Sequence, residues 1–106
     1  MCHCLACQTR TGSAFGIQAR WPSARVTIER HAQEYVRIGD EGSTSTFRFC
    51  PTCGATVYDN DRMPGMIAVP VGAFADPTLP PPRCSVYGAR RHPWAIMPNL
   101  AIEELD

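Results

Sequence analysis

The chain of 106 residues carries ten Arg, no Lys and ten acidic residues, for a formal charge of zero. Apolar residues make up 44% and charged residues 19%, which suits a globular chain with one modest core and excludes a disordered one. An even charge, with no basic stripe, argues against nucleic acid as partner, and the absence of lysine excludes Schiff-base and phosphate-loop lysine sites.

The sequence predicts a mainly β fold with short helical turns, organised as one domain over residues 1–106. Ten Pro and eight Gly punctuate it, favouring short strands and turns over long helices. After a cysteine-rich start, "LACQTRTG" reads as a short helix. "SAFGIQARW" reads as a strand leading to Pro22, and "ARVTIER" and "EYVRI" as two more. "GDEGSTS" is rich in turn residues, so "EYVRI" and "STFRFC" should form a hairpin. "ATVYDN" follows as a strand. "MIAVPVGAF" reads as a buried strand that Pro70 confines to an edge or a bulge. "GMIAVPVGAFA" is also the longest apolar run, too short and too broken by Pro70 and Gly72 to span a membrane. "DPTLPPP" is a surface connector, "CSVYGA" a last strand, and "NLAIEEL" a helical turn.

Six cysteines could mean a secreted disulfide scaffold. No signal peptide precedes them, and five lie in tight clusters where bridging near neighbours would staple little. A reduced, cytoplasmic, metal-binding role is expected. "CPTCG" pairs Cys50 and Cys53 across a turn shaped by Pro51 and Gly54, the usual half of a tetrahedral zinc site; a redox pair is the weaker reading, because no βαβ pattern surrounds it. "CHCLAC" offers Cys2, Cys4 and Cys7. In extended backbone Cys2 and Cys4 share a face, and Cys7 comes round on the next turn. Three thiolates leave one zinc position for water or substrate. His3 alternates to the opposite face and is expected to pack or hydrogen-bond. Spacing equally permits Cys4, Cys7, Cys50 and Cys53 to share one ion, with Cys2 spare. Cys84 is expected to be a small buried apolar residue.

Taken together, "CHCLACQTRTGSAFG", "FRFCPTCGATVY", "MIAVPVGAFADP" and "RRHPW" resemble the glutathione-dependent formaldehyde-activating enzyme family, which includes the centromere protein V proteins. The resemblance implies a small Mss4-like, zinc-binding β fold. It implies that Cys2, Cys4 and Cys7 hold a catalytic zinc and that Cys50 and Cys53 supply half of a structural one. The family's other half, an earlier C-x-C strand, is missing here. Either the chain is truncated at its start or this member lacks that ion, and the shared four-cysteine site gains weight. One or two Zn²⁺ per chain are expected.

The activity implied is that of S-(hydroxymethyl)glutathione synthase, a carbon–sulfur lyase acting on glutathione and formaldehyde. Because glutathione is anionic, its pocket should offer Arg forks or backbone N–H groups. Arg10, Arg90, Arg91 and His92 are candidate substrate-binding residues, His92 also for proton transfer. The bland alternative leaves the arginines solvated and makes Trp94 a core anchor. The competing functional reading is a non-catalytic zinc-stabilised β domain that mediates association. A homodimer is expected, because a missing first strand would leave a sheet edge to cover.

Overall fold

The computed structural model describes residues 1–39, 41–60, 63–95 and 101–105. They divide into two compact units, a central one over Gln18–Ala75 and a terminal one made of Met1–Ile17 and Asp76–Asp106. The fold is mainly β, with seven strands and one short α-helix among the described residues.

The central unit is a five-stranded antiparallel sheet. Its strands are β1 (Gln18–Pro22), β2 (Gln33–Ile38), β3 (Thr44–Phe49), β4 (Thr56–Asp59) and β5 (Met66–Pro70), in the order β1-β5-β4-β3-β2. The expected hairpin is β2–β3, with Tyr35 opposite Phe47 and Ile38 opposite Thr44. Gly42, at φ 81°, lets the chain reverse between them. β3 buries Ser45, Thr46 and Phe47 in succession and β5 buries Ile67 and Ala68, so both faces of these strands are covered and Phe47, Ile67 and Ala68 enter the core. Asp59 is buried with them, and Gln18 Nε2 donates to its Oδ2 at 2.6 Å. Trp21 meets Phe74 edge-on at 5.5 Å.

Three expectations fail here. "ARVTIER" is not a strand: Ser23–Arg25 form a single 3₁₀ turn and Val26–Arg30 lack regular structure. Pro22 ends β1, and the Ser23 N–H and hydroxyl both bind the Gly65 carbonyl, turning the chain away from a ladder. β5 is neither an edge nor bulged at Pro70; it lies between β1 and β4. Pro70 is its last residue, where a missing N–H costs no interior bond. The strand expected over "SAFGIQARW" begins only at Gln18.

In the terminal unit, β6 (Cys84–Val86) pairs in parallel with β7 (Glu103–Leu105). The helical turn expected over "NLAIEEL" is therefore a strand at Glu103–Leu105, and its residues 99 and 100 lie outside the described residues. Glu103 N–H bonds the Arg83 carbonyl and sets the register. Pairing with a neighbour overrides the weak helix preference of so short a segment. The "DPTLPPP" stretch has no regular structure, as expected.

Candidate metal centre

The start of the chain is fastened from both sides. Cys2 and Gly16 exchange two backbone hydrogen bonds at 2.8 and 2.9 Å, His3 N–H donates to the Val86 carbonyl, and Val86 N–H to the Met1 carbonyl. These bonds hold residues 1–3 extended, so Cys2 and His3 face opposite ways. His3 is 1% exposed; its ring meets Phe15 edge-on at 5.7 Å and its Nε2 lies 3.1 Å from Ser85 Oγ. Burial first, and the Arg91 charge second, push its pKa below the usual histidine value, so the ring stays neutral at neutral pH. His3 takes the packing role expected of it.

The helix α1 (Leu5–Thr11) starts immediately after. Cys4 is its N-cap, with Sγ accepting from Cys7 N–H at 3.3 Å, and Gly12 closes it at φ 65°. One extended step and one helical turn thus converge. The Sγ atoms of Cys2, Cys4 and Cys7 all lie within 4.8 Å of one another and could hold a metal ion. A site of three thiolates suits zinc. In the metal-free cluster the Cys7 thiol donates to Cys2 and brings its pKa down to about 7, against burial that raises it. The same bond, with burial, holds the Cys7 proton on and pushes its pKa up.

Cys50 and Cys53 form a different kind of site. The turn after β3 is a knuckle, with Cys50 N–H bonded to the Ala55 carbonyl, Gly54 N–H to the Cys50 carbonyl, and Gly54 at φ 77°. The backbone N–H groups of Cys53 and Thr52 point at Cys50 and lower its pKa, favouring the thiolate. Cys53 is exposed. Among the described residues of this unit, no third donor joins them to make a metal-binding group. A cleft of about 440 Å³ nearby is lined by Arg30, His31, Glu34, Arg48 and Tyr58. Its Arg48 is already committed, to Glu34 at 3.1 Å, to Asn60 at 2.9 Å and to the face of Tyr58.

The other sequence candidates lie in the terminal unit. Arg10 sits in the last turn of α1. Arg90 and Arg91 are exposed, and Arg91 pairs with Glu104 at 2.9 Å. His92 stacks obliquely on Trp94 at 5.2 Å. Trp94 is 70% exposed, which corrects its reading as a core anchor: the ring caps a histidine rather than filling an interior. Cys84 is half-buried in β6. Gln8 is a residue of this region that the sequence did not single out. Its Nε2 donates to the His3 carbonyl at 2.8 Å and the Arg90 carbonyl at 3.0 Å, and its Oε1 lies 2.9 Å from His92 Nε2. The only local signal was its place one residue after Cys7.

The family model for glutathione-dependent formaldehyde-activating enzyme matches residues 1–90, while no curated protein matches the chain. The match covers both cysteine clusters and every strand from β1 to β6. This chain therefore belongs to the glutathione-dependent formaldehyde-activating enzyme family.

Proposed function

We propose that this protein is a zinc-dependent carbon–sulfur lyase acting on adducts of glutathione with formaldehyde or a related aldehyde, and that residues 1–106 work as one domain. The observation that carries this reading is the three-thiol group itself, with Cys2, Cys4 and Cys7 Sγ atoms within 4.8 Å in a chain of this family. Three ligands leave a tetrahedral ion one position for substrate. A zinc ion there would lower the pKa of a bound substrate thiol and so supply a nucleophile at neutral pH.

The chain's own residues do the rest. Backbone pairing at Gly16 and Val86 presets the extended segment, and the Cys4 cap presets the helix turn. Little ordering is then needed when the three thiolates gather. Three thiolates exceed the double positive charge of the ion, so the centre is net negative and favours thiolate delivery over carbonyl polarisation. Arg90 is proposed to receive a glutathione carboxylate, because Arg91 already pairs with Glu104. Cys50 and Cys53 are proposed as half of a second zinc site, with a structural role.

The test joins composition to turnover. X-ray absorption at the zinc edge is expected to show three sulfur ligands and one lighter atom at the first site. Exchange between free glutathione and its hydroxymethyl adduct, followed by NMR, is expected to be accelerated by wild type and not by Cys2→Ser. Zinc absent from freshly purified protein, or equal exchange in Cys2→Ser, refutes the reading. A fully sulfur-ligated ion without turnover establishes the alternative of a zinc-stabilised association domain.

A further inference from the structure

The hydrogen bonds of Gln8 fix the proton of a histidine. A primary amide has two N–H donors and one carbonyl acceptor. Both donors are spent on backbone carbonyls, those of His3 and Arg90. A carbonyl oxygen only accepts, so the amide cannot be turned the other way round. The atom facing His92 Nε2 at 2.9 Å is therefore Oε1, another acceptor. A hydrogen bond between them requires the proton to sit on Nε2. In the uncharged form of such a ring the lone pair is on Nδ1. His3 Nδ1 is shut inside the unit without a partner, whereas His92 Nδ1 is not among the enclosed atoms. Trp94 covers one side of the His92 ring, at 5.2 Å and 36°.

We propose that Gln8 is a positioning residue that holds His92 as its Nε2–H tautomer and presents Nδ1 as the proton acceptor for the substrate thiol. Gln8 ties the cysteine segment, through the His3 carbonyl, to the turn that carries Arg90 and His92. The identity of the substrate rests on the lyase reading above; the tautomer does not. In the forward direction the substrate thiol first gives its proton to His92 Nδ1; the thiolate then bonds to the aldehyde carbon as the carbonyl electron pair moves to oxygen. The imidazolium then returns that proton to the oxygen, giving the hydroxymethyl thioether. Atoms and charge balance with no further reagent. Holding the correct tautomer is the duty that a carboxylate performs in serine-protease triads, where the wrong tautomer is strongly inhibitory.

The test is spectroscopic first. Proton–nitrogen correlation spectra of the imidazole groups, recorded on the zinc-loaded full chain, are expected to show the Nε2–H tautomer of His92. Gln8→Met, which keeps length and helix preference but has no amide, is expected to lose that pattern and populate both tautomers. Gln8→Glu retains an acceptor and is expected to keep Nε2 protonated, so the two variants serve even if one folds poorly. An Nδ1-protonated ring in wild type, or an unchanged pattern in folded Gln8→Met, overturns the proposal. In glutathione–formaldehyde turnover, His92→Gln is expected to lose about a hundredfold in kcat, and Gln8→Met about tenfold with little change in KM. Adding Gln8→Met to His92→Gln should cost nothing more, and a further loss would overturn the link between them. A wild type that shows the tautomer but no carbon–sulfur chemistry refutes the lyase reading and upholds the role of Gln8.

Discussion

The two cysteine clusters are built from the same side chain and differ in everything around it. Cys2, Cys4 and Cys7 belong to three backbone settings: an extended segment, a helix cap and a helical turn. Their neighbours are His3, Ser85 and Gln8, all within the terminal unit. Cys50 and Cys53 share one tight turn whose own N–H groups supply the polar environment. The first cluster depends on segments 85 positions apart in the chain, as the bond from Val86 N–H to the Met1 carbonyl shows. The second needs only six consecutive residues, Cys50 to Ala55. A local knuckle can deliver two ligands anywhere, whereas a three-thiol group requires a fold to hold it open.

The largest expected effect separates the clusters by metal and function. Cys7→Ser should remove one zinc per chain and abolish turnover, whereas Cys53→Ser should leave adduct exchange within about threefold. Elemental analysis alongside the exchange assay checks both, and equal losses from the two variants would show a single shared ion. Next is thiol reactivity. In reduced, metal-free protein at pH 7, Cys2 should be alkylated well before Cys7, because its pKa is near 7 while the Cys7 proton is held. Mass spectrometry of quenched samples gives the order, and added zinc should slow both.

A smaller effect concerns the wall behind the first cluster. Ser85→Ala leaves His3 Nε2 without its partner in a ring whose Nδ1 already lacks one. The expected cost is about 1–3 kcal/mol, read as a lower urea midpoint with the zinc loaded. His3 also gives this region a pH signature. Its folded pKa lies below the unfolded value, so the unfolded chain binds more protons, and stability is lost as pH falls below about 6.5. The loss should be shallower in His3→Gln, and equal slopes would contradict a neutral, buried ring. The smallest effect belongs to the central unit. Glu34→Ala removes an exposed partner of Arg48 and should cost less than about 1 kcal/mol, with zinc content unchanged.

Much of this protein is legible in the residues alone. The β2–β3 hairpin, the helix over "LACQTRTG" and the knuckle at "CPTCG" all rest on turn chemistry and short-range periodicity, and all are present. The thiol trio was one of two groupings that the spacing allowed, the other joining Cys4 and Cys7 to Cys50 and Cys53; the structure gathers Cys2, Cys4 and Cys7. Tertiary structure decided what local pattern cannot carry. "ARVTIER" has strand-like residues but starts in a 3₁₀ turn tied to the Gly65 carbonyl, and "NLAIEEL" finds in β6 a partner that outweighs its helix preference. Trp94 is apolar enough for a core yet lies at the surface over His92. The contact between Gln8 and His92 spans 84 positions. Hydrogen bonds at that separation are set by how segments pack, so a histidine's tautomer is written in the fold while its neighbours' donor atoms are written in the sequence.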